Sequence, residues 1–332
     1  MRKSNFISRF AKIDVPKITV VIPCYNAGLF LDASIRSLTA QSVADWECVI
    51  FNDGSTDDTR KIAETWCRKD SRFLLVNQEN LGVSCARNVG FRAGSAAASY
   101  VLFLDSDDCL HPDMLKKLGE CLDSNPKVGL ARCEYEFMDH KGSPVSGIRQ
   151  KERYVPTSYW VRQLSRAEKE IPFVSVFALS GIVPSVALIR RSVFAQTSGF
   201  DETFGQHHED TDLFLKLRLL ADFYYFPETL VTKRIHARSS TAHNATFQQR
   251  AALKEKLLVA KWSSHAGLSQ EQMILVSNAL LFKQYRLEAC LGFARSYGYV
   301  RKGSLLKALQ FFIGALRRYL PSLFHKYNVE YF

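Results

Sequence analysis

Residues 100–104, Tyr-Val-Leu-Phe-Leu, form a short apolar run that leads directly into Asp105-Ser106-Asp107-Asp108. Three carboxylates within four residues repel one another strongly wherever the dielectric is low. A divalent cation among them removes that repulsion, and hard oxygen donors suit magnesium, manganese or calcium. Such a cation usually leaves room for the phosphates of a nucleotide. The chemistry to expect is therefore a metal-assisted reaction of a nucleotide-bearing substrate. A solvated acidic turn ahead of a helix starting at Pro112 is the plainer alternative on this motif alone.

The elements that must position the cluster follow from local pattern. Residues 18–23, 47–51, 73–76 and 100–104 are apolar, β-rich runs. Between them lie helical signals: Leu31, Ile35 and Leu38 at helical spacing, Thr56-Asp57-Asp58 opening a stretch to about Lys69, and residues 84–94. Pro112 is a good first residue for a fourth helix. Later, 128–137, 183–189 and 223–231 read as strands and 211–220 as a helix. Strand–helix alternation with near-continuous apolar strands predicts an α/β fold with a mostly parallel, Rossmann-like sheet covered by helices. Ligands bind beyond the carboxyl ends of the strands of such sheets. That places Pro23-Cys24-Tyr25-Asn26, Asn52-Asp53-Gly54-Ser55 and the acidic cluster on one rim.

Charge is divided unevenly along the 332 residues. Residues 1–232 carry 28 Lys/Arg and 29 Asp/Glu, whereas 233–332 carry 16 and 4, so the last hundred account for the whole net charge of +11. Such asymmetry points the C-terminal part toward an anionic partner. The eight cysteines form no C-x-x-C and sit mostly in apolar elements, as expected of reduced thiols in a cytoplasmic protein. The N-terminus has basic residues but no apolar core of a secretory signal. Residues 171–189 lack any charge, but Pro172, Gly181 and Pro184 interrupt them, so a loop leading into a buried strand is expected rather than a membrane span.

From about residue 18 to 240 the chain resembles the family 2 glycosyltransferases, which are inverting enzymes of the GT-A fold. The resemblance rests on seven ordered motifs: Thr19-Val-Val-Ile-Pro-Cys-Tyr-Asn26, Asn52-Asp-Gly-Ser-Thr-Asp57, Asn80-Leu-Gly-Val-Ser-Cys-Ala-Arg-Asn88, Leu104-Asp-Ser-Asp-Asp108, Gly199-Phe-Asp-Glu202, His208-Glu-Asp210 and Arg234-Ile-His236. It implies a GT-A domain over 18–245, with a nucleotide-binding half at 18–127 and an acceptor-binding half at 128–245. An N-terminal extension at 1–17 and a basic helical C-terminal region at 246–332 flank it.

The resemblance also implies residue roles. Inverting transfer needs one base for the acceptor hydroxyl, and the family's base matches Asp210, with Glu209 beside it as a supporting or acceptor contact. Asp107 matches the direct ligand of a manganese or magnesium ion, Asp105 a ribose or metal contact, and Asp108 a contact to the sugar or to the metal's surroundings. His236 matches a residue closing over the metal or diphosphate. Asp53 matches the carboxylate that accepts the base-edge N–H of a pyrimidine, Pro23 and Tyr25 would wall that base, and Arg87 would reach the nucleotide. The donor implied is a nucleoside-diphosphate sugar, UDP foremost, and the acceptor a saccharide or lipid-linked hydroxyl. Trp160 and residues 165–182 are candidate acceptor-loop elements.

Other classes fit less well. An aspartate-nucleophile phosphatase wants Thr or Val two residues after its second Asp, where Cys109 stands. A dinucleotide site wants G-x-G-x-x-G after the first strand. A non-catalytic sugar-nucleotide or membrane-binding module is disfavoured by the presence of base and metal carboxylates together. The basic C-terminal region, with Leu305, Leu309, Phe312 and Leu316 on one helical face, is expected either on an anionic cytoplasmic leaflet or at a helical cap or oligomer interface. No nucleic-acid motif accompanies the charge.

Overall fold

The computed structural model describes residues 15–145 and 182–236, together with residues 253–254, 256–258, 260–262, 269–270 and 273. Trp160, residues 165–181, Arg238, Cys290 and the helical face expected around 305–316 lie outside the described residues.

Strands β1 (Ile18–Cys24), β2 (Trp46–Asp53), β3 (Phe73–Gln78) and β4 (Tyr100–Phe103) run parallel, in the order β3-β2-β1-β4. Helices α1 (Leu31–Thr39), α2 (Thr59–Lys69) and α3 (Val83–Ala93) connect them, and α4 (Met114–Ser124) follows β4. Every residue of β1, β2 and β4 is buried. Covered on both faces, these strands read as near-continuous apolar runs rather than alternating ones, with Thr19 and Glu47 hydrogen-bonded to each other inside.

The second half extends the same sheet with mixed polarity. β7 (Ala187–Arg190) inserts antiparallel between β4 and β6 (Val128–Met138). β8 (Asp222–Arg234) runs parallel to β6, and the two-residue β5 (Cys109–Leu110) pairs antiparallel with β8 at the far edge. The expected strand over 183–189 begins later than its composition suggests, because Pro184–Val186 forms a 3-10 turn. β5 is too short to leave a periodic signal, yet it seats the turn after β4 against the end of β8. α5 (Arg191–Phe194) and α6 (Glu209–Leu220) complete the described core. Leu213, Phe214, Leu215 and Leu217 of α6 are buried.

Helical residues between 253 and 262 dock on this half. Trp262 is buried and donates its indole N–H to Asp212 Oδ1 at 3.0 Å. Lys261 bridges Asp201 at 2.6 Å and Asp212 at 2.8 Å. Although burial opposes ionisation of Asp201, Lys261 and the Thr203 donors hold its pKa down at about 2. A depressed carboxyl adds stability above the unfolded value near 3.9 and loses it as pH falls toward the folded one. Asp201→Asn should therefore flatten the acid limb of the stability curve between about pH 4 and 2, measured by urea melts across pH. An unchanged limb would count against this anchor.

Gly54 closes the turn after β2 at φ +73°, and a Cβ there would lie 2.7 Å from the backbone nitrogen of Asn80. Left-handed backbone and steric crowding act together at this position. Gly54→Ala is expected to cost about 2 kcal/mol in denaturant melts. A loss below about 0.5 kcal/mol would show that the two loops separate freely.

Candidate active site

The carboxyl ends of β1, β2 and β4 open into one cavity of about 650 Å³. Its wall includes Pro23, Tyr25, Asp53, Arg87, Asp105, Asp107, Asp108, Glu209, Lys233, Arg234 and His236. The loop after β1 is held by the loop after β2. Ser55 Oγ accepts the Asn26 N–H, Asn26 Oδ1 accepts the Thr56 N–H at 2.9 Å, and Asp57 Oδ2 accepts the Gly28 N–H at 3.0 Å. Asp53 in turn organises the loop before α3. Its Oδ1 accepts the Leu81 N–H and its Oδ2 the Gly82 N–H, both at 2.9 Å. Tyr25, by contrast, is 54% exposed and offers a bare ring at the mouth.

The three aspartates after β4 occupy different environments. Asp105 Oδ1 accepts from Arg87 Nη2 at 2.8 Å, and its backbone N–H donates to Ser185 Oγ. Burial opposes its charge, but Arg87 and Lys233 outweigh that and hold its pKa below the ordinary carboxylate value. Asp108 is almost fully buried; burial, with repulsion from Asp107 and Asp105, pushes its pKa up to about 7 against the pull of Lys233. Asp107 faces the cavity with 27% of its side chain exposed, and its Oδ2 lies 2.9 Å from His236 Nε2. The His236 ring packs against Phe30 at a centroid distance of 4.5 Å.

Asp107 and His236 are therefore a carboxylate and an imidazole in contact on the cavity wall. Among the described residues no group of three or more His, Cys, Asp or Glu side chains converges to hold a metal ion. Two side chains suit a divalent ion whose remaining ligands come from substrate phosphates and water. The charge of the wall agrees: five carboxylates face three permanent cations, an excess of two negative charges when all are ionised. The residues present thus fit a manganese- or magnesium-class ion that enters with a diphosphate.

At the opposite wall, α6 begins with Glu209. His208 precedes it in the left-handed region at φ +65°, which turns the chain sharply at the helix start. Glu209 is buried and accepts from Arg87 Nη1 at 3.0 Å. Burial and then the neighbouring Asp210 push its pKa up to about 7, with Arg87 pulling the other way. Asp210 is not part of the cavity wall. Its Oδ1 accepts the Thr211 N–H at 2.6 Å, and its Oδ2 accepts no hydrogen bond among the described residues.

The model of glycosyl transferase family 2 matches residues 19–197, more than half of the chain. The chain belongs to glycosyl transferase family 2. A glycosyltransferase of Rickettsia prowazekii is 27% identical over 287 residues, covering 82% of this chain and 83% of its own. Chondroitin synthase of Escherichia coli is 24% identical across 86% of this chain, which matches 38% of the longer synthase. Residues 1–349 of S. aureus TarS, in complex with UDP-GlcNAc, superpose with a TM-score of 0.56 at 17% identity, covering 91% of this chain and 92% of that one. The expected GT-A fold is thus present, and the protein is a glycosyltransferase.

Within this family 2 enzyme the structure gathers Pro23, Tyr25, Asp53, Arg87, Asp105, Asp107, Asp108, Glu209 and His236 into one cavity, and leaves Asp210 off its wall. Two take partners that the sequence did not suggest. Arg87, expected at the nucleotide, bridges Asp105 and Glu209 and lies over the Phe200 ring at 5.0 Å. Asp105, expected at ribose or metal, gives its Oδ1 to that same guanidinium. Lys233 also lines the cavity and escaped the sequence reading, and Arg234, read only as part of the Arg234-Ile-His236 motif, was given no role there, although two adjacent cations at a strand end were a usable signal.

Arg87 connects the acidic turn to the start of α6, and only a forked guanidinium reaches both carboxylates. Arg87→Lys is expected to lower turnover about tenfold with little change in donor KM, because it releases Asp105 and Glu209 more than it removes a ligand contact. Steady-state kinetics check this. A rise in KM at constant kcat would make Arg87 a direct donor contact instead.

Proposed function

We propose that this glycosyltransferase inverts, moving a sugar from a nucleoside-diphosphate sugar, UDP foremost, to a hydroxyl of a saccharide or lipid-linked acceptor in cell-surface polysaccharide synthesis. The observation that carries the reading is the single cavity that gathers Tyr25, Asp53, Asp107, His236 and Glu209. Tyr25 and Pro23 wall the base, and Asp53 reads its edge while fixing the Leu81–Gly82 turn. Asp107 and His236 would hold a manganese or magnesium ion, which when bound supplies Lewis-acid neutralisation of the leaving diphosphate.

Asp210 is the base in this reading. Inversion requires the acceptor to approach from the face opposite the leaving group, so the base belongs beside the donor cavity rather than inside it. Asp210 sits one residue beyond a wall residue, with one carboxylate oxygen tied to its own helix and the other unengaged among the described residues. Glu209, paired with Arg87, supports it. The UDP-GlcNAc complex of TarS and the similarity to chondroitin synthase favour a UDP-sugar and a polysaccharide product.

The test is a donor-hydrolysis screen over UDP-, dTDP- and GDP-sugars with manganese. A UDP-sugar is expected to be cleaved fastest, and no cleavage or binding of any of them would remove the reading. The charge excess after residue 232 favours a peripheral place on an anionic cytoplasmic leaflet. No helix among the described residues is long and apolar enough to cross a membrane. Full-length protein should co-sediment with anionic but not zwitterionic vesicles, and equal partition would favour a cap or interface for residues 246–332.

A further inference from the structure

Lys233 stands on the wall of the cavity at the end of β8, where Thr232 pairs with Cys109 and brings the acidic turn alongside. Its ammonium lies 3.5 Å from Asp108 Oδ2 and 3.9 Å from Asp105 Oδ2, with only 17% of the side chain exposed. Burial works against its charge, yet Asp108 and Asp105 hold its pKa well above the ordinary lysine value. The group is a fixed cation.

The geometry differs from that of the structural ion pairs in this protein. Lys216 closes to 2.8 Å on Asp212, and Lys261 to 2.6 Å on Asp201. Lys233 stops short of both carboxylates, and its ammonium makes no hydrogen bond among the described residues. Asp108 Oδ2, which it faces, is itself buried without a hydrogen-bond partner. An ammonium carries three donors, and those of this half-buried lysine meet no protein acceptor at ordinary hydrogen-bond distance among the described residues. The other two permanent cations of the wall are anchored: Arg87 on Asp105 and Glu209, and Arg234 on the carbonyls of Asp107 and Asp139.

We propose that Lys233 is a direct ligand of the donor diphosphate, donating to its non-bridging oxygens and adding a permanent positive charge beside the Asp107–His236 pair. This rests on the nucleoside-diphosphate-sugar reading above. A compact ammonium suits phosphate oxygens, and a wall with excess negative charge needs such a group to admit them. No proton moves at Lys233 during transfer. The anomeric C–O bond breaks with its electron pair passing to the diphosphate oxygen, and the ammonium keeps its proton while facing that new charge. Lys233 thus makes part of diphosphate binding independent of metal.

The test compares UDP with uridine by calorimetry, in EDTA and in manganese, for wild type, Lys233→Met and Lys233→Arg, with thermal melts to confirm folding. In EDTA, wild type is expected to bind UDP more tightly than uridine. Lys233→Met should shrink that difference at least tenfold with uridine affinity unchanged, and Lys233→Arg should keep most of it. A purely structural lysine would shift the melting temperature or weaken both ligands equally, and an unchanged difference would overturn the assignment. Should Lys233→Met fail to fold, reductive methylation of wild type read by mass spectrometry decides. UDP should protect Lys233 at least fivefold relative to Lys127 and uridine should not; equal labelling would overturn the proposal. If wild type binds neither UDP, dTDP nor GDP, the donor reading falls and the lysine role falls with it. If it binds one of them while Lys233→Met matches it, the lysine role falls alone.

Discussion

Asp210→Asn is expected to lower turnover by about 10²- to 10⁴-fold while leaving UDP affinity within about twofold. The substitution preserves shape and keeps an oxygen for the Thr211 N–H, which anchors the side chain at 2.6 Å. What it removes is the capacity to accept a proton from the attacking hydroxyl. Donor binding should survive because Asp210 stands outside the cavity wall. Glu209→Gln is the necessary comparison. Glu209 is buried, engaged by Arg87, and held near pKa 7 first by burial and then by Asp210, so neutralising it alters a charge that is already partly titrated at neutral pH. Its turnover should fall about tenfold or less. The reverse ranking, with Glu209→Gln the more damaging variant and Asp210→Asn nearly active, would move the base one residue back.

Chelation of divalent metal should lower turnover by about 10³-fold or more and weaken UDP at least tenfold, with uridine unaffected. The reason lies in charge. With Asp108 and Glu209 pushed up to about 7, five carboxylates against three permanent cations leave a smaller negative excess on the wall than full ionisation would, and a diphosphate adds to it. Asp107→Asn should reproduce much of the loss at saturating manganese, because it removes the exposed carboxylate of the Asp107–His236 pair. Asp105→Asn should act differently, disturbing Arg87 and the start of α6 rather than the diphosphate end. Calorimetry with UDP in EDTA and in manganese separates these cases. Equal UDP affinity in the two buffers would free Asp107 from metal ligation.

Much of the first part of the sheet, β1 to β4, was legible because its signals are local. Parallel strands buried on both faces read as near-continuous apolar runs, so residues 18–23, 47–51 and 100–104 announced β1, β2 and β4, and the apolar run 73–76 announced the edge strand β3, to within about two residues. The carboxyl-end rule then put Pro23, Asp53 and Asp107 on one rim before any coordinates, and the cavity lining matches that placement. The second part of the sheet was less readable. The order β4-β7-β6-β8-β5 depends on antiparallel insertions that no period in the sequence encodes. β5 is two residues long and exists because β8 lies beside it.

The sequence by itself determined the family, the parallel strands β1 to β4 and the identity of the acidic groups, since motifs and strand periods are properties of neighbouring residues. Only the tertiary structure decided how those acids differ. Arg87 reaches Glu209 across 122 positions and Asp105 across 18, and Lys233 meets Asp108 from the end of a distant strand. Three aspartates that look alike in sequence become one paired with arginine, one exposed beside a histidine, and one buried near neutrality. Ionisation depends on burial and on charges a few ångströms away, and those distances are set by how the chain returns on itself.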